Sequence, residues 1–255
     1  MKRRDFVIAG TALLAQAARA QEVQPIRIAP PSATPLQVGM LLYPGLTLLD
    51  LIGPQTVLSP FSSIHLLWTS LDPITTDSGI RLFPNTTLQD CPADLDVVFV
   101  PGGNHMTALN GKGVLPFLAD RGARAKYVTS VCSGSIVLGA AGLLRGYKAT
   151  SHWAAKELLP LFGAEPTDGR VVVDRNRVTG GGVTAGIDFG LVMLAKLRGE
   201  ETAKLSQLAM EYDPQPPFEA GSPQKAGPAL TGMLGKRLEA INLATRQFAA
   251  EKRGL

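Results

Sequence analysis

Histidine and cysteine are scarce, three and two among 255 residues. His65, His105, His152, Cys91 and Cys132 lie scattered along the chain, so no zinc-type ligand spacing is present and no metal is expected. Glycine is plentiful, but Gly180-Gly181-Gly182 lacks the strand–GxGxxG–helix setting and no Walker-type lysine follows it. The common nucleotide-binding loops are therefore excluded. No apolar run reaches the ~20 residues that a bilayer-spanning helix needs. A dominant charge is missing too. Lys+Arg number 25 and Asp+Glu 21, and the first 20 residues hold Lys2, Arg3, Arg4 and Arg19 against Asp5. Most of the formal +4 sits in that segment, and the remainder gives no support for nucleic-acid binding.

What is there is an ordinary globular composition, 45% hydrophobic and 18% charged, sufficient for one sizeable α/β domain. Residues 1–20 stand apart. Arg3-Arg4 precede Phe6, an apolar run covers 7–14, and Ala18-Arg19-Ala20 offers a small-x-small cleavage site. This pattern predicts a twin-arginine-type signal peptide, a periplasmic location and no membrane attachment once the signal is removed. Residues 21–35 contain Pro25, Pro30, Pro31 and Pro35 and read as an extended tether. The domain then spans 36–255. Two cysteines in an exported chain raise the question of a Cys91–Cys132 disulfide. Cys91 is expected at the amino end of a strand and Cys132 at the carboxyl end of another. Those are opposite edges of a parallel sheet, and the bond is not expected.

Buried strands are predicted at 36–43, 63–68, 95–100 and 127–131, from branched and apolar runs. Helices are predicted to end at Leu58 and to cover 114–125, 152–161, 185–210 and 230–252. Hairpins are expected at 74–87 and 171–178. Strands alternating with helices predict a doubly wound, mostly parallel sheet with helices on both faces. In such sheets the site lies along the carboxyl edge, where 44–50, Gly102-Gly103 and Cys132 all follow strands.

Cys132 stands at the sharpest of these corners. Small residues Ser130 and Gly134 lie two before and two after it, the spacing of a nucleophile elbow, where bulk would clash in a strained turn. Helix-opening amides beside the sulfur are expected to favour the thiolate. The same residues also fit a small buried cysteine in a βα turn. Asp50 is a lone carboxylate in Leu48-Leu49-Asp50-Leu51-Ile52, so it needs a donor or a proton. It reads as a general acid/base facing Cys132, or as a helix N-cap. The backbone amides of Ser133 and Gly103 are candidates for an anion hole, and the Ser133 hydroxyl for holding a water. His152 begins a helix and is a possible pocket residue. His65 reads as structural, His105 has no partner visible in the sequence, and Asp188 reads as a helix cap.

Five stretches carry a resemblance: LLDLIGPQTVL (48–58), DLDVVFVPGG (94–103), YVTSVCSGSIVLGAAGLLRGYKATSHWA (127–154), VTGGGVTAGIDF (178–189) and EYDPQPPFEAGSP (211–223). On these the chain resembles the ThiJ/PfpI superfamily, of the class I glutamine amidotransferase-like type, and within it the isonitrile hydratases. The resemblance implies a flavodoxin-like sandwich, a homodimer, no organic cofactor and a small-molecule substrate. It places the nucleophile on Cys132, the acidic partner on Asp50 and the oxyanion-type contacts on Gly103 and Ser133. Much of the superfamily carries glutamate in the acidic role, so aspartate points to the hydratase branch. The hydratases have threonine after the cysteine where this chain has Ser133, which keeps the hydroxyl. The expected activity is a hydro-lyase reaction on isonitriles. A thiol redox sensor without turnover is the alternative.

Overall fold

A computed structural model describes residues 34–253. The expected signal peptide and nearly all of the tether lie outside these residues. Strand β1 (Leu36–Leu41) leads into helix α1 (Leu48–Leu58), and β2 (Ser62–Trp68) returns beside β1 in parallel register. A small excursion follows, with β3 (Ile74–Thr75) and β4 (Arg81–Leu82) forming an antiparallel pair around the Asp77-Ser78-Gly79 turn. The anticipated hairpin stops there. β5 (Thr86–Thr87) leaves it and pairs parallel with β2 at the sheet edge. Next come β6 (Val97–Val100), α2 (His105–Leu109), α3 (Val114–Arg124), β7 (Tyr127–Val131) and α4 (Gly134–Ala140). A short pair, β8 (Lys148–Ala149) and β9 (Glu165–Pro166), precedes the hairpin of β10 (Val171–Asp174) and β11 (Arg177–Gly180). The chain continues through α5 (Ala185–Arg198), α6 (Glu200–Ala209) and α7 (Pro223–Arg253).

The main sheet runs β10-β11-β7-β6-β1-β2-β5, and every pairing is parallel except β10 with β11. β6 is buried along its whole length and β7 at all but its first residue, as strands covered on both faces must be. Helices α1, α5 and α6 pack together on one side, and α2, α3 and α4 on the other. The α1–α5 contact is close because its crossing points are glycines. A Cβ on Gly190 would meet Val57 at 2.9 Å, and one on Gly186 would meet Pro54 at 3.1 Å. Backbones approach only where side chains are missing.

Three elements differ from expectation, each for a local reason. Residues 152–161 form turns followed by a 3-10 segment, Lys156–Phe162, with Pro160 inside it. Proline removes a donor there and prevents a regular α-helix. The helical region 185–210 is two helices, broken at Gly199 with φ 91°. Asp188 does not cap α5, whose N-cap position is Thr184. It lies in the first turn, paired with Arg170 and accepting a hydrogen bond from Tyr212 Oη at 3.2 Å. Helix α7 is interrupted at Gly227 (φ 76°) and continues from Pro228.

Candidate active site

The carboxyl ends of β1, β6 and β7 lie side by side, because the three are parallel neighbours in the sheet. Cys132 follows β7 with φ 56°, a left-handed conformation that costs a non-glycine residue ~1–2 kcal/mol. Four hydrogen bonds hold it there. Its N–H donates to the carbonyls of Gly180 (3.1 Å) and Gly181 (2.7 Å). Its own carbonyl accepts from the hydroxyls of Ser135 (3.2 Å) and Ser151 (3.0 Å). At ~1 kcal/mol net apiece these bonds offset the strain. The turn also depends on Gly134, where a Cβ would stand 2.1 Å from the Val100 carbonyl oxygen. The small residue two positions beyond the cysteine is thus dictated by the end of β6.

Asp50 lies in the first turn of α1, past the N-cap position Thr47, and is fully buried. Its Oδ2 accepts the Gly102 N–H at 2.9 Å, while Oδ1 has no well-formed hydrogen bond and the polar neighbour of the carboxyl is the Cys132 thiol. Gly102 is where these groups meet. A Cβ there would lie 2.6 Å from Cys132 Cβ, 2.6 Å from the Ser133 nitrogen and 2.7 Å from Asp50 Oδ2. Behind them Tyr43, also fully buried, donates its hydroxyl to the Pro101 carbonyl at 2.8 Å.

Burial governs the protons. It pushes the Asp50 carboxyl up to about 7, against the lowering pull of the Cys132 and Gly102 hydrogen bonds. Burial likewise pushes the Cys132 thiol well above its usual value, and the neighbouring Asp50 charge adds to this. The Ser133 amide and hydroxyl act on the sulfur in the opposite direction, as a helix start should, but they are outweighed. With Asp50 charged, the resting cysteine is a thiol, which corrects the expectation of a standing thiolate. A proton on Asp50 removes the second of these upward influences and eases thiolate formation, while burial still favours the thiol.

Cys132 and Ser133 line a cavity of about 490 Å³, and Gly103, His105 and His152 border it. Asp50 lies behind the sulfur, outside the cavity lining. The Gly103 N–H is engaged by Ser133 Oγ at 3.1 Å, and the same hydroxyl stands 3.3 Å from the Gly103 carbonyl. Gly103 therefore positions Ser133, and the Ser133 amide is the donor beside the sulfur. A Cβ on Gly103 (φ 124°) would lie 2.5 Å from the Gly45 oxygen, so only glycine fits. His152 sits against Trp153 and accepts the Ala154 N–H on Nδ1 at 3.3 Å. His105 is buried, and its Nε2 shares a 2.7 Å hydrogen bond with Thr245 Oγ1 on α7. Burial takes its pKa down to about 4, so it is neutral at pH 7. His65 bonds Gln37 Oε1 at 2.9 Å in the sheet, away from the cavity. Cys91 and Cys132 are both free thiols. Among the described residues no group of three or more His, Cys, Asp or Glu side chains is placed to hold a metal ion.

Ser151, Tyr43 and the Gly180–Gly181 carbonyls were not singled out by sequence. They are brought to the site by packing, and no spacing signal marks them. Gly102 was visible only as part of a turn.

A flavodoxin-like sandwich, with a strained cysteine and a buried carboxylic acid at the carboxyl edge of its sheet, is the class that fold and site define. The chain belongs to the DJ-1/PfpI family, whose profile matches residues 37–196. It is 51% identical to an isonitrile hydratase of Pseudomonas putida over 205 residues, 79% of this chain and 90% of that protein. The crystal structure of a ThiJ/PfpI family protein from Pseudomonas syringae superposes with a TM-score of 0.83 at 46% identity, covering 92% of this chain and 99% of that one. Drosophila melanogaster DJ-1beta shares the fold at 20% identity and a TM-score of 0.65, over 71% of this chain and all of that one.

Proposed function

We propose that the protein hydrates isonitriles to N-substituted formamides, with Cys132 as nucleophile and Asp50 as proton carrier. The observation that carries this is the placement of the cysteine at the cavity wall with the carboxyl directly behind its sulfur. The high identity to a protein named isonitrile hydratase supports the same reaction class. The thiol adds across the terminal carbon of R–NC, forming a C–S bond. Its proton passes through Asp50 to that carbon and gives the thioimidate R–N=CH–S–Cys. Water then adds to the thioimidate carbon, the C–S bond breaks, and R–NH–CHO leaves as the thiol is restored. An acid poised near neutrality suits a group that must both give and take this proton. The Ser133 amide and hydroxyl, fixed by Gly103, stabilise negative charge on sulfur and position the water. His152 lines the pocket without a part in the proton transfer.

The reading extends to export through the 1–20 signal, a periplasmic location, and a homodimer. A sulfinate-forming thiol sensor draws less support, since oxidation favours exposed thiolates and Cys132 is 7% exposed with its proton held on. The test is incubation of the purified mature protein with cyclohexyl isocyanide. N-cyclohexylformamide should appear and should be lost with Cys132→Ala. Absence of the formamide, or full activity in that variant, overturns the proposal. Periplasmic fractions should contain a chain beginning after Ala20, and size-exclusion light scattering should read a dimer.

A further inference from the structure

We propose that the stripe Leu234, Leu238 and Ile241 on α7 is the specificity wall of this site, and that it selects isonitriles whose R group is a bulky apolar body. The inference rests on the proposed hydration and deepens it.

The cavity is far larger than the reacting group. An isonitrile carbon and nitrogen fill on the order of two water volumes, ~60 Å³, whereas the cavity measures about 490 Å³. The rest must hold R. Beside polar groups such as Asp77 and Asn104, part of the lining is apolar: the α7 stripe shares the cavity with Ala154, Ala155 and Val183. Water in such a space has few partners, so an apolar R group that displaces it gains affinity. The spacing Leu238, Ile241, Thr245, Phe248 keeps one helix face turned inward, and Leu234 continues that face to the surface.

That face comes from a different part of the chain than the chemistry. The family profile ends at residue 196, and all three wall residues lie beyond it. Two side chains pin α7 over the site. Thr245 Oγ1 is tied to the buried His105 ring, and Asn242 Nδ2 donates to the Ala154 carbonyl at 2.8 Å. Phe248 and Ala249 are buried in the core below them. The other half of the helix is looser. Leu230, Met233 and Leu234 are exposed, and Gly227 breaks the chain just before. The wall is therefore firm at Ile241 and open at Leu234, so it fixes the girth of R beside Ile241 and tolerates length toward the exposed Leu234 end.

The experiment compares kcat/KM for cyclohexyl and methyl isocyanide in the wild type, Leu238→Trp and Leu238→Ala. The wild type should favour the cyclohexyl substrate by about tenfold or more. Filling the cavity with Leu238→Trp should lower that ratio by about tenfold or more, chiefly through KM, and Leu238→Ala should lower it less while admitting adamantyl isocyanide. Unchanged ratios in both variants overturn the proposal. A second readout needs no turnover: alkylation of Cys132 by N-methylmaleimide against N-cyclohexylmaleimide. If the maleimide ratio moves in Leu238→Trp while no isonitrile is hydrated, the wall stands and the hydratase reading fails. If isonitriles are hydrated and neither ratio moves, the wall fails alone.

Discussion

At Cys132 two opposing influences act on one sulfur. The Ser133 amide and hydroxyl draw its pKa down, while burial and the Asp50 charge drive it up and prevail. Replacing Asp50 with asparagine separates them. The variant keeps an acceptor for the Gly102 N–H but carries no charge, so iodoacetamide should alkylate Cys132 at lower pH than in the wild type. Isonitrile turnover should nevertheless fall by about 10²-fold or more, because the proton carrier is gone. An alkylation profile that stays put would remove Asp50 from the sulfur's surroundings. Both residues, and Ser133, are legible in the sequence, because an elbow spacing and a lone acid in an apolar run are local patterns. Their protonation is not legible, since burial is a property of the assembled fold.

Among the elements, β6, β7 and α4 meet where no side chain fits. Gly134→Ala would press a methyl group into the Val100 carbonyl oxygen at 2.1 Å, and backbone at a strand end has little room to give. The expected loss is about 3 kcal/mol or more, read as a fall in the urea midpoint. Gly221→Ala, where the added methyl meets open space, should stay within ~0.5 kcal/mol and serves as the control. The strands that build this junction are plain in the sequence as continuous apolar runs. The 3-10 segment at Lys156–Phe162 and the departure of β5 from the hairpin are not. Each is decided by a proline or by an edge pairing across many residues.

Across the whole molecule, two buried titrating groups work against each other. Asp50 keeps its proton to about pH 7 when folded, against an ordinary value of 3.8, so its contribution to stability is lost as pH rises from about 4 to about 7. His105 refuses its proton until about pH 4, against an ordinary 6.5, so its contribution is regained as pH rises between those values. Asp50 is worth on the order of 4 kcal/mol and His105 on the order of 3 kcal/mol, so they largely cancel in the wild type. Asp50→Asn should unmask the histidine, with urea midpoints climbing from pH 4 to 6.5. Parallel curves for variant and wild type would refute this. The doubly wound order of the sheet is legible from strand and helix alternation. The docking of α7 over the site is not, because its partner His105 lies 140 residues away. Tyr43 and Asp50 are also joined through the fold, by a peptide that both of them hold. The carbonyl that Tyr43 grips and the amide that Asp50 accepts belong to the same peptide unit, Pro101–Gly102. One rigid plane is thus pinched at both rims. Were that plane to pivot, the acid would lose its aim at the sulfur although neither strand had moved.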